Sequence, residues 1–274
     1  MNQPKRHHYI PVVILKRFAD EDGRLWLCRR EGGVPIIWKS RPEKAFLERN
    51  LYTKQDSSRK RDISVEEDLG KVESAASPVV DEIVSHSLAG RCPCLATGER
   101  ETLIRFIDHH HRRTPENHPL VDKDMENWEA YLRTDFERES GRPPTKEELA
   151  EMENPELRKT ARQSMVANLA GLPMRNDVLQ LYVQCPIRFG VIRVKNKSFV
   201  IGSRIEPGDW FPVHKRVAFR LVAENGPDTL TEIRDMAEIR RINEQTARDS
   251  LAFGGSSEQL VRSLARAHPA RGGV

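Results

Sequence analysis

"GRLWLCRREGGVPIIWK", residues 23–39, is the stretch whose reading decides the fold. Leu25 and Leu27 alternate and Cys28 follows, Gly32-Gly33 interrupts, and Val34, Ile36, Ile37 and Trp38 resume the apolar run. Two β-prone runs split by a glycine pair read as a β-hairpin, because glycine supplies the positive φ that a two-residue loop demands. On its N-terminal side "PVVILKRFA", residues 11–19, places Val12, Val13, Leu15 and Phe18 among cations, the pattern of a short helix buried on one side and entered through Pro11.

Beyond the hairpin, "PEKAFLERNLYT" (42–53) connects and "QDSSRKRD" (55–62) is a charged loop, after which helical spacing takes over. Ser64 and Glu67 form a candidate capping box for "VEEDLGKVESAASPVVDEIV" (65–84), with Val65, Leu69 and Val72 on one face, an interruption expected at Pro78 and an end near Gly90. From Gly98, Leu103, Phe106, Ile107 and His110 recur at intervals of three and four, and Thr114-Pro115 closes that helix. Residues 116–165 are charged, with a break at Gly141–Pro144, and suit helices partly open to solvent; "GLPMRNDVLQLYVQ" (171–184) continues helical.

A second β region follows in "IRFGVIRVKN" (187–196), "KSFVIGSRIEP" (197–207) and "VAFRLVAEN" (217–225). "TEIRDMAEIRRINEQTARDSLAFGG" (231–255) then reads as a helix with Ile233, Met236, Ile239 and Ile242 on one side, and residues 266–274 as a disordered tail. The expectation is an α+β protein, one domain over residues 1–274. It comprises an N-terminal hairpin unit (7–53), a mainly helical middle (64–183), and a short C-terminal β segment with a closing helix (186–253).

Bulk composition narrows the function classes. Lys and Arg number 45 against 41 Asp and Glu, a net +4 that argues against a nucleic-acid-coating protein and leaves room for local basic patches. No apolar run approaches the ~20 residues of a membrane helix, and the N-terminus lacks a signal-peptide core, so the expectation is a cytoplasmic protein without a membrane partner. The four cysteines are expected to be reduced thiols, since Cys92-Pro93-Cys94 leaves one residue where a zinc knuckle needs at least two. P-loop, GxGxxG, GxSxG and HExxH motifs are all missing, and no cofactor or metal is expected.

Histidines are the residues most suggestive of chemistry. His7 and His8 precede Pro11; neighbours on a strand point to opposite sides, so one would face a pocket while the other packs or bonds the main chain. His109, His110 and His111 cannot converge on one ion, because successive helical residues diverge by about 100°. Asp108 with His111, three apart, is the only half-site in the run, and its alternative is a solvated cationic face that offsets the helix dipole. His110 is different because it shares the apolar stripe, and Arg113, three residues on, could hold an anion.

A pocket of His7 or His8, His110 and Arg113 would contain a base, an acid and an anion anchor, the parts needed for metal-independent phosphodiester cleavage; satisfied core polar residues explain the same pattern. Secondary candidates for substrate contact are Asn50 and Tyr52 after the hairpin, Thr114, and Arg241 and Asn243 on the last long helix. Packing, turn formation or solvated surface are the alternatives for each.

Seven segments in order, "HHYIPVVILKRF", "LWLCRR", "AFLERNLYT", "VEEDLGKVESAASPVV", "RRTPENH", "SFVIGSRIEP" and "RRINEQTARDS", resemble the bacterial family called domain of unknown function 4238 over residues 7 to 253. The most specific element is the His-His-Tyr-x-Pro opening, together with the later Arg-Thr-Pro. The resemblance implies no established activity; some similar proteins are implicated in defence against phage. The chain departs from the pattern in carrying His110 where relatives have Gln, and Gly202-Ser203-Arg204-Ile205-Glu206-Pro207 where they have Thr-Ser-Asp-Asn-Pro. A mechanism needing that Asp could not operate unchanged.

Two functions follow as expectations. The first is a nucleic-acid-directed effector, a nuclease acting in anti-phage defence, with His7, His8, His110 and Arg113 in its site. The second is a non-catalytic module that recognises a phage protein or a nucleic acid. Nucleic acid or a phage component is the expected partner, with the oligomeric state left open.

Overall fold

The structure is a computed structural model that describes residues 6–31, 34–49, 51, 54–55, 61–206 and 208–268. In chain order the elements are β1 (Arg6–His8), α1 (Val12–Lys16), β2 (Leu25–Glu31), β3 (Val34–Ser40), β4 (Leu47–Arg49), β5 (Lys54–Gln55), β6 (Arg61–Asp62), α2 (Ser64–Leu88) and α3 (Thr97–Arg112). Then come α4 (His118–Glu126), α5 (Trp128–Ser140), α6 (Lys146–Met152), α7 (Pro155–Gly171), α8 (Asn176–Gln184), β7 (Ile187–Ile192), β8 (Ile201–Gly202), β9 (Phe211–His214), β10 (Val217–Leu221), β11 (Thr229–Ile233), α9 (Met236–Asp249), β12 (Ala252–Gly255) and α10 (Glu258–Ala267). This is an α+β protein, with the hairpin β2–β3 and the helical middle where the sequence places them. No described helix is long and apolar enough to cross a membrane.

The chain divides into two compact units. The larger takes His8–Leu47, Gly70–Glu116 and the chain from Pro173 onward; the smaller takes the chain up to His7, Glu48–Leu69 and Asn117–Leu172.

The larger unit holds two four-stranded sheets, in the orders β3-β2-β12-β8 and β11-β7-β10-β9. In the first, β12 pairs antiparallel with both β2 and β8, so a strand from residue 252 onward lies beside the N-terminal hairpin. One face of that sheet buries Cys28 and Phe253 against Val200, Ala247 of α9, and Val261, Leu264 and Ala265 of α10. In the second sheet β11 runs parallel to β7, and β10 antiparallel to it. Phe211 and Phe219 stack there at 5.4 Å between ring centroids, with Phe106 of α3 tilted against Phe211 at 6.2 Å. Ile104 of α3 packs with Leu179 and Val183 of α8.

Helices α4 to α7 belong to the smaller unit. Arg162 of α7 pairs with Asp122 of α4, and Arg158 donates to the Met125 carbonyl at 3.2 Å. Val166, Ala167 and Ala170 are the buried side of α7, whereas α5 and α6 bury no residue. Thr145 opens α6 with a capping box to Glu148, and Gly141 closes α5 in the left-handed region at φ 69°, which explains the break expected at Gly141.

Several expectations are corrected. Pro78 does not interrupt α2: the helix continues for ten more residues, its turns held by buried Ala76, Val79, Val80 and Ile83. Ser64 is the first helical residue rather than the cap, and its N–H donates to Asp62 Oδ1 at 2.9 Å. The helix read over 231–255 begins only at Met236, capped by Asp235, which accepts from the Ala237 N–H; Ile233 ends β11 and Met236 is exposed. "AFGG" is strand β12, and α10 is an unanticipated closing helix that includes Arg266 and Ala267 of the expected tail. The turn Gly32-Gly33 and residues 269–274 lie outside the described residues.

Candidate functional site

His7 and His8 diverge, as neighbours on a strand must. His7, in the smaller unit, is fully buried, and its Nε2 lies 3.1 Å from Glu66 Oε2. His8 belongs to the larger unit, where the charges acting on its imidazole are the Glu73 carboxylate of α2 and the Arg113 guanidinium at the end of α3.

Arg113 is 3% exposed and pairs through Nη1 with Glu73 Oε1. The pairing follows from local structure. Helix α2 puts Glu73 on its flank, and Arg113 is the residue at which α3 stops, its N–H still donating to the His109 carbonyl at 3.2 Å. His8 Nε2 is shut from solvent and has no hydrogen-bond partner. Burial pulls the His8 pKa below the ordinary imidazole value, and Arg113 adds to the shift; Glu73 and the main chain of Glu43 and Pro42 oppose it. A neutral imidazole, able to accept a proton at neutral pH, therefore lies near a carboxylate–guanidinium pair.

His110 points into the interior, as its place on the apolar stripe implies. It is 1% exposed and sits edge-on to Phe211 at 5.0 Å, with no partner at either ring nitrogen. Burial first, then Arg113 and His111, push its pKa down to about 3. At neutral pH the ring is therefore the uncharged imidazole. His110 and His8 both sense the Arg113 charge.

Thr114 is buried and its hydroxyl donates to the His111 carbonyl at 3.4 Å, ending the helix. The Asp108 carboxylate accepts from Arg112 Nε at 2.9 Å, one turn on. Among the described residues no group of three or more His, Cys, Asp or Glu side chains could hold a metal ion. Asn50 and Tyr52 lie outside the described residues. Asn243 is 2% exposed and both ends of its amide are used: Oδ1 accepts from the Val200 N–H and Nδ2 donates to the Ser198 carbonyl, each at 2.9 Å. Arg241 is exposed and lines a small cleft with Arg204, Glu206, Asp209 and Asp249, apart from the His8 group.

Two carboxylates escaped the sequence reading. Glu73 carries no sequence motif, and only its long-range partner Arg113 marks it. Glu116 follows the Arg-Thr-Pro motif directly. One of its oxygens accepts from the Ser203 hydroxyl and, at 2.6 Å, from the Leu251 N–H, while burial raises its pKa. Ser203 Oγ in turn accepts from the Ala252 N–H at 3.1 Å. The segment after α3 is thereby latched to β12 and to the stretch 202–207, the place where this chain departs from the pattern it resembles.

No curated protein and no solved structure matches the chain. A family model described as "Protein of unknown function (DUF4238)" matches residues 6–252, and the chain belongs to that family.

Proposed function

We propose that the protein is a nucleic-acid-directed effector that attacks phosphodiesters, with His8 as the general base. The observation that carries this reading is the neutral His8 imidazole, its Nε2 without a partner, under the influence of the Glu73–Arg113 pair. In such a step, once the Glu73–Arg113 pair opens to admit substrate, His8 would take the proton from an attacking hydroxyl as its oxygen bonds to phosphorus, the P–O bond to the leaving oxygen breaks and that oxygen takes a proton from solvent, while the guanidinium favours the negative charge that grows on the phosphoryl oxygens. Action against phage is the setting that the family resemblance suggests.

A second reading, recognition without turnover, draws on a different observation: Arg113 is 3% exposed and already paired, so an anion reaches it only if the pair with Glu73 opens. Labelled RNA and DNA incubated with the purified chain, with divalent metal or with chelator, separate the two. Shortened products in chelator, lost in His8→Ala with an unchanged melting temperature, support the nuclease. A shifted but intact substrate supports recognition, and a substrate neither cut nor shifted overturns both.

A further inference from the structure

All four cysteines are free thiols, in different surroundings. Cys28 is in the core of the first sheet, and Cys185 donates to the Leu181 carbonyl at 3.4 Å. Cys92 and Cys94 are both exposed, in the link of residues 89–96 that joins α2 to α3.

That link is anchored in an alternating way: Pro93 and Leu95 are buried, while Arg91, Cys92, Cys94 and Ala96 are exposed. The cause is local. A residue before proline is pushed into extended conformation, and the proline ring fixes its own φ near about −65°. Extended backbone turns residues i and i+2 to the same side, so burying Pro93 and Leu95 turns both thiols outward together. An extended chain rises ~3.3 Å per residue, which spaces the two Cα atoms by roughly 6.6 Å, at the outer limit of what a disulfide spans, so closing the bond requires the backbone at Pro93 to bend. Burial first, then the Asp228 carboxylate and Cys94, hold the Cys92 thiol above its ordinary pKa.

We propose that Cys92-Pro93-Cys94 is a redox-active dithiol that exchanges with low-molecular-weight disulfides of the glutathione class. In the first step the Cys94 thiolate attacks one sulfur of oxidised glutathione, forming a Cys94–glutathione mixed disulfide and expelling one glutathione thiolate, which takes up a proton. In the second the Cys92 thiolate, having lost its proton to solvent, attacks the Cys94 sulfur, closing the Cys92–Cys94 bond and releasing the second glutathione. Two electrons and two protons pass from the pair to the oxidant, leaving two reduced glutathiones. A ring closed over a single intervening proline has little freedom to relax, so the bond is one that reductants reopen, unlike a structural disulfide. This site does not depend on the His8 chemistry.

The test uses the full chain, reduced and then equilibrated with oxidised glutathione, acid-quenched, alkylated and read by intact mass and peptide mapping. The expected product is a peptide containing Cys92 and Cys94 that is lighter by about 2 Da and refuses the alkylating reagent. Dithiothreitol should restore both thiols, and Cys185→Ser should change nothing. Cys92→Ser should stop at a stable glutathione adduct on Cys94. The proposal is overturned if the wild-type chain stops at that adduct, if the bridge maps to Cys185, or if both thiols stay open to alkylation. Circular dichroism of each variant confirms that these surface changes leave the fold intact.

Discussion

A single side chain, His110, shows how burial sets chemistry. Its ring nitrogens lack partners and its pKa falls to about 3, so the interior accepts it only as the neutral base. The unfolded chain takes up a proton near the ordinary imidazole value of 6.5 and the folded chain only at about 3, so between those limits the unfolded state binds more protons. Stability therefore falls as pH drops through that window, by up to about 1.4 kcal/mol per pH unit from this group. His214, lowered to about 4 mainly by burial, acts in the same direction. His110→Leu removes two unpartnered nitrogens at similar volume and is expected to match the wild type at pH 7.5 and to exceed it at pH 4.5 in urea unfolding. Equal acid sensitivity in the two proteins would show that His110 is not the titrating group.

At the scale of the element, helix α2 tolerates a proline that its sequence alone would treat as a break. Pro78 is exposed and removes the N–H that would have served the Ser74 carbonyl, while Ala76, Val79, Val80 and Ile83 secure the turns on either side. Pro78→Ala restores that hydrogen bond on the solvent side and is expected to stabilise by about 1–3 kcal/mol, read as a raised urea midpoint. A lowered midpoint would show that α2 needs its proline. Helix α9 depends on a side chain in the opposite way. Asn243 ties it to Ser198 and Val200, so Asn243→Ala strands the buried Val200 N–H and the half-buried Ser198 carbonyl and is expected to cost about 1–3 kcal/mol. A loss below ~0.5 kcal/mol would mean that the clamp is dispensable.

In the whole molecule, the decisive event is the insertion of β12 between β2 and β8, which unites the N-terminal hairpin with the end of the chain in one sheet of the larger unit. Gly254 makes that approach possible: a Cβ there would lie 2.7 Å from Leu27 Cδ2 and 2.8 Å from the Trp26 carbonyl oxygen. Gly254→Ala is expected to cost about 1–3 kcal/mol by overpacking against main chain that cannot retreat. Thermal unfolding reads the effect, and a variant as stable as the wild type would mean that β12 can shift away from β2.

The same insertion divides what could be read locally from what could not. Period-two alternation around Gly32-Gly33 and the stripe Leu103, Phe106 and His110 each carry their own signal, because burial on one side of a strand or helix imposes its repeat on the residues themselves. The sequence by itself therefore determined the hairpin, the helical middle and the inward direction of His110. "AFGG" has little strand propensity of its own and becomes a strand because β2 and β8 present hydrogen-bonding edges on either side; Ile233, spaced like a residue of α9, joins β11 because β7 lies alongside. The partners of the histidines were settled in the same way. Glu66 beside His7, Glu73 beside Arg113 and Phe211 beside His110 are all distant along the chain. Only the tertiary structure decided them, because a partner's identity and an imidazole's pKa depend on what packing brings near and how much water it excludes.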